Sequence, residues 1–134
     1  MKLHGTSTLI AIAALMTGAL GQALVESRFN GIWQGKRHDL PAITLRLANE
    51  GGKLEGKVTF FLHKRDTENE PWYIEGQDSA TILNPTITGN RLSFEVQHYK
   101  YHGAAELGPN VKMTLELTGP DQAKLGDVTL VREK

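Results

Sequence analysis

Beyond residue 28, apolar and polar side chains alternate with a period of two through most of the chain. In "AITLRLA" (42–48) Ile43, Leu45 and Leu47 fall on one side, with Thr44 and Arg46 on the other. The turn residues "NEGG" (49–52) follow, and glycine there supplies the positive φ that tight hairpins need. "KLEGKVTFFLHK" (53–64) then sets Leu54, Gly56, Val58, Phe60 and Leu62 on one side. "VKMTLELT" (111–118) separates Val111, Met113, Leu115 and Leu117 from Lys112, Thr114 and Glu116 in the same way. Successive side chains of a strand point to opposite faces, so each stretch predicts a strand with one buried face.

The remaining stretches are shorter. "WYIEGQ" (72–77) and "SATIL" (79–83) predict two short strands, Asn84-Pro85 breaks the run, and "TIT" (86–88) resumes it. After a tight turn at Gly89-Asn90, "RLSFEVQHYKYH" (91–102) is expected to pair back, and "KLGDVTLVRE" (124–133) to close the chain as one strand. The polar run 65–71 and "GAAELGPN" (103–110) are expected as loops. Gly56, inside a strand, predicts a bend or a close backbone approach. No window past residue 28 shows the i, i+3, i+4, i+7 stripe of an amphipathic helix. Several short strands at regular spacing, joined by Gly, Pro and Asn turns, predict an all-β fold: a small antiparallel up-and-down barrel of about eight strands.

The first residues differ from this pattern. Lys2 supplies an early positive charge, Leu9 to Leu20 is apolar but for Thr17 and Gly18, and the small residues Gly21 and Ala23 follow. That three-part layout predicts a secretory signal peptide over 1–23, whose apolar run is too short to span a bilayer, which takes roughly 20 apolar residues. Residues 24–134 would then be a single barrel domain, secreted or periplasmic. The chain has no cysteine, so the fold rests on packing and backbone pairing, with no disulfide, thiolate metal site or cysteine nucleophile. Lys plus Arg and Asp plus Glu number 15 each, with no basic block, which argues against nucleic acid as a partner. No later segment is apolar and long enough to cross a membrane.

"FNGIWQGK" (29–36) places Gly31 and Trp33 at the opening of the first strand, and Arg132 stands near the end of the last. On these residues the chain resembles the calycin superfamily, the lipocalins, avidins and fatty-acid-binding proteins. In outline it is similar to bacterial secreted lipocalin-like domains, which start with a like G-x-W-x-G and continue through an L-x-G strand. The lipocalin middle-loop motifs, the paired cysteines of many lipocalins and avidin's row of biotin-contacting polar residues are missing from it. The resemblance implies an antiparallel barrel in which a basic residue of the final strand packs near the tryptophan at the closed end. It assigns Gly31, Trp33 and Arg132 to holding the fold, and carries over no defined activity. A cation stacked on an indole is worth about 0.5–2 kcal/mol, and the two can meet only if first and last strands are neighbours.

Candidate chemistry is sparse. His98 and His102, four apart on one strand, would lie roughly 13 Å apart, too far to share a metal. His63 or Glu106 could join one of them, but no third ligand is fixed by spacing. Ser79 and Ser93 sit in no nucleophile frame, and Glu95, Glu116 and Asp127 are expected to face water, so no acid, base or nucleophile is assembled. No cofactor is implied. A ligand cavity is the better-supported idea, because barrels of about eight strands can just hold one small molecule. Its apolar wall is expected from Phe60, Leu62, Phe94, Val96, Met113 and Leu115. His98, Lys100, Trp72 and Tyr73 would stand near one mouth, and the ligand would be a small apolar molecule. The alternative is a filled barrel acting as a non-enzymatic protein- or glycan-interaction module, suggested by Tyr99 and Tyr101 on an outward strand face.

Overall fold

The computed structural model describes residues 28–99 and 104–134. The leader expected over 1–23, and Lys100, Tyr101 and His102, lie outside the described residues. Eight strands follow one another as antiparallel hairpins: β1 Gly31–Arg37, β2 Leu40–Glu50, β3 Lys53–Lys64, β4 Tyr73–Thr88, β5 Arg91–Val96, β6 Val111–Gly119, β7 Gln122–Leu125 and β8 Val128–Arg132. Each pairs with its sequence neighbours, and β8 returns to β1 through Trp33↔Arg132, Gln34↔Val131 and Gly35↔Leu130, closing the barrel. Closure covers most of the sheet edge that could attract another strand; among the described residues, β4 before Ile82 has no strand partner on its β5 side. Among the described residues no helix is long and apolar enough to cross a membrane.

The period-two segments fold as strands, but three boundaries differ from the sequence expectation. The stretches 72–77, 79–83 and 86–88 are not separate strands; β4 runs unbroken for 16 residues, with a register irregularity between Leu83 and Thr86. Asn84 takes a left-handed φ of 50° at that point. Asparagine tolerates that conformation better than most residues, and the resulting kink accommodates Pro85 without ending the pairing. The strand expected over 91–102 stops at Val96. Beyond it Tyr99 meets Leu107 in an isolated antiparallel bridge. The closing strand expected over 124–133 is instead a hairpin, β7 and β8, turning at Gly126 with φ 61°. The two-residue turn Gly126-Asp127 shifts the buried positions from Ala123 and Leu125 to Val128 and Leu130, a one-step break in alternation short enough to pass as one strand.

Residues directly opposite in an antiparallel pair project to the same face, so the register maps the interior. One ring of neighbours runs Trp33, Leu45, Val58 and Ala80; the next runs Gly35, Ile43, Phe60 and Asp78. The core is a single apolar cluster containing Phe29, Trp33, Leu45, Val58, Leu92, Phe94, Leu115 and Leu130. Burying each such side chain contributes about 1.5–3 kcal/mol. Gly56 sits where a Cβ would lie 2.4 Å from the Arg46 carbonyl oxygen, the close backbone approach expected of a glycine inside a strand.

The end of the barrel at which β1 begins is plugged. The fully buried Trp33 indole donates its Nε1–H to the Phe29 carbonyl at 2.9 Å. The Arg132 guanidinium lies 4.4 Å from the Trp33 ring centre. It donates to the carbonyls of Asn30, at 2.6 Å, and Pro120. Its Nε lies at an ion-pair distance of 3.2 Å from Asp121 Oδ1 without hydrogen-bond alignment. Gly31, with φ 129°, leaves room for the Arg132 stem, whose Cδ would stand 3.0 Å from an added Cβ.

Candidate functional site at the open end

Antiparallel order sends the β1–β2, β3–β4, β5–β6 and β7–β8 connections to the opposite end, and the candidate chemistry gathers there. Inward-facing residues at the plugged end and waist, such as Trp33, Leu45, Val58 and Leu130, are fully buried. Towards the open end the inward positions Phe60, Leu62, Gly76, Asp78 and Ala80 are only half-buried. β4 contributes mainly small side chains to this wall, and among the described residues it pairs with β5 only from Ile82 onward. The β3–β4 ribbon therefore stands up beyond the end of β5.

A cleft of about 340 Å³ opens at this end, lined by Arg37, His38, Ala42, Ile43, Phe60, Phe61, Leu62, His63, Trp72 and Val128. Its floor is apolar and its rim carries nitrogen-bearing side chains. The β1–β2 connection is a two-residue turn in which His38 and Asp39 both adopt positive φ, 56° and 61°. That is the mirror-image turn that suits the twist of a hairpin, usually made by Asn-Gly, and it throws the His38 side chain over the rim. His38 stacks on Trp72, with ring centres 4.0 Å apart and planes 6° from parallel. Its Nδ1 lies 3.2 Å from Nδ1 of His63, and His63 Nε2 lies 2.6 Å from the Pro41 carbonyl oxygen. The Arg65 guanidinium also rests on Trp72, at 4.4 Å. Desolvation first, then the neighbouring His63, Arg37 and Arg65, hold His38 below its ordinary pKa. Arg37 meets Asp127 at 3.3 Å, both exposed, a pair of little energetic consequence. Tyr73 donates its hydroxyl to Asp66 Oδ1 at 3.2 Å; partial desolvation, this bond and the Asp66 charge push its pKa up.

The residues singled out in the sequence divide. Phe60, Leu62 and Trp72 line the cleft, and Tyr73 stands beside it, exposed. Phe94, Val96 and Leu115 are buried in the packed core, with Met113 half-buried against them; none of the four lines the cleft. His98 is exposed and donates from Nδ1 to the carbonyl of its neighbour Tyr99 at 2.5 Å, outside any strand. Lys100 lies outside the described residues. The rim residues Arg37, His38 and Arg65, and the inward Asp78, were not legible as site residues. The signal for His38 is the interruption of alternation at "KRHD", where a two-residue hairpin turn lacks glycine. Asp78 reads as a break between two strands until the register places it opposite Phe60.

The fold and this end together define a class: a closed, eight-stranded, antiparallel up-and-down barrel, plugged at one end and open at the other. No family model, no curated protein and no solved structure matches the chain.

Proposed function

We propose that this protein is a secreted or periplasmic barrel of calycin-like build that binds a small, mostly apolar molecule at its open end. One observation carries the reading: the inward face is fully buried at the plugged end, yet partly open to water at the other, where Phe60, Leu62 and Ala80 face inward with Asp78 among them. A pocket with an apolar body and few polar groups at its rim is the usual form of a small-molecule site. Phe60, Leu62, Ile43 and Val128 would contact the apolar body of the ligand, and the His38–Trp72 face its outer end. Native mass spectrometry of protein purified from its host without delipidation should show added mass on the chain. Bare chain mass, together with no thermal shift across fatty acids, terpenoids and tetrapyrroles, would sink the proposal.

A second reading, an interaction module, is favoured by the apolar side chains around the same end. Tyr73, Ile74, Tyr99, Leu107 and Val111 are all exposed there, Tyr99 and Leu107 by 52% and 53%. Aromatic groups on an exposed rim suit a protein or glycan contact. Bare chain mass in the same experiment would move weight to this reading.

A further inference from the structure

The β1–β2 turn and the end of β3 hold two imidazoles against each other, and we propose that His38 and His63 bind a transition-metal dication, copper(II) above all, through their Nδ1 atoms. This goes beyond small-molecule binding and does not depend on it.

The geometry is the first argument. The two Nδ1 atoms are 3.2 Å apart. Imidazole nitrogens each about 2.0–2.1 Å from one metal span such a separation at a nitrogen–metal–nitrogen angle of about 100°, between square and tetrahedral. Protonation is the second. His63 Nε2 lies 2.6 Å from the Pro41 carbonyl oxygen, which can only accept, so that nitrogen carries the hydrogen and Nδ1 keeps its lone pair. A backbone carbonyl fixing the far nitrogen of a histidine is the usual way a metal-ligating imidazole is oriented. In the metal-free pair His38 Nδ1–H donates to His63 Nδ1. On metal binding that hydrogen is lost from Nδ1 while Nε2 takes one up, so two neutral rings become two ligands with no net proton released. Placement is the third argument: the left-handed turn and the Trp72 stack both restrict the His38 ring.

The donor count sets the character of the site. Among the described residues no group of three or more His, Cys, Asp or Glu converges. Two imidazoles leave the other positions to water or an outside anion, which makes the ion exchangeable and favours copper(II), the tightest of the series for nitrogen ligands. Arg37 and Arg65 nearby oppose a bare dication and favour one carrying an anionic co-ligand.

Copper(II) chloride titrated into the full chain, followed by calorimetry and by electron paramagnetic resonance, tests the proposal. One ion per chain is expected, with coupling to two nitrogens. A variant with His4, His98 and His102 all replaced by Asn should keep the site. His38→Asn, which tolerates the left-handed turn, and His63→Gln should each weaken binding by about 100-fold, with circular dichroism verifying that they fold. If His63→Gln does not fold, His38→Asn alone decides. No stoichiometric uptake by the full chain, or uptake undiminished in His38→Asn, would overturn it.

Discussion

Arg132 joins three separate parts of the closed end. Its guanidinium satisfies the Asn30 and Pro120 carbonyls, lies over the Trp33 indole, and pairs with Asp121. Replacing it by Leu keeps apolar contact with the stem's surroundings but removes the donors and the cation. Hydrogen bonds from a charged donor contribute about 1.5–3 kcal/mol and a cation–π contact about 0.5–2. These terms overlap in one side chain, so Arg132→Leu should destabilise by about 2–3 kcal/mol in urea unfolding followed by tryptophan fluorescence. Arg132→Lys should recover only part of this, because one ammonium cannot reach both carbonyls. A loss below about 0.5 kcal/mol would show that the plug holds without this residue. The glycine, tryptophan and arginine are visible in the sequence; that they converge is visible only once β8 returns to β1.

At the scale of elements, β3 and its neighbours show where local pattern succeeds and where it fails. Gly56 in β3 leaves no space: an added Cβ would stand 2.4 Å from the Arg46 carbonyl and 2.7 Å from Leu47 Cδ2. The carbonyl belongs to a paired strand and cannot move aside without loosening the β2–β3 ladder. Gly56→Ala should therefore lower stability by about 1–3 kcal/mol, read as a fall in melting temperature. Gly51 serves as the control, because nothing lies within 4 Å of its added Cβ and only its φ of 59° resists substitution. Equal, negligible shifts for both would contradict the packing. Alternation marked β2, β3 and β6 plainly, since each sets apolar side chains on the inward face, buried at the plugged end and half-buried or exposed towards the open one. It broke β4 into pieces because the kink at Asn84 interrupts periodicity while leaving the pairing on either side intact. It overran β5 because strand-like composition continues past Val96 after the ladder has ended.

For the whole molecule, the question is whether the open half is hollow or packed. Ala80 faces inward opposite Val58, half-buried and packed against the core where the open half begins, so a longer side chain there would reach into that space. Forcing added methylenes into a filled core costs about 1–3 kcal/mol. Ala80→Leu should cost less than about 1 kcal/mol if the interior there is open, and should lower the occupancy of any bound apolar ligand. A larger loss of stability would indicate a filled interior and favour the interaction-module reading. The rim makes the same point about scale. His38 and His63 are 25 positions apart and carry no local motif, and only the pairing of β1, β2 and β3 brings them within 3.2 Å.

The sequence alone determined the all-β class, the antiparallel order and which face of most strands is buried. Those follow from period-two patterning and turn residues, both local properties of the chain. Tertiary structure decided in which register β8 returns to β1, that β7 and β8 form a hairpin, and that Phe94, Val96 and Leu115 belong to the packed core. It also moved the focus from His98 to the His38–His63–Trp72 rim. The reason is physical: register and shear set which residues share a level in a barrel. Both arise from pairing between strands distant in sequence, which no single stretch of alternating residues records.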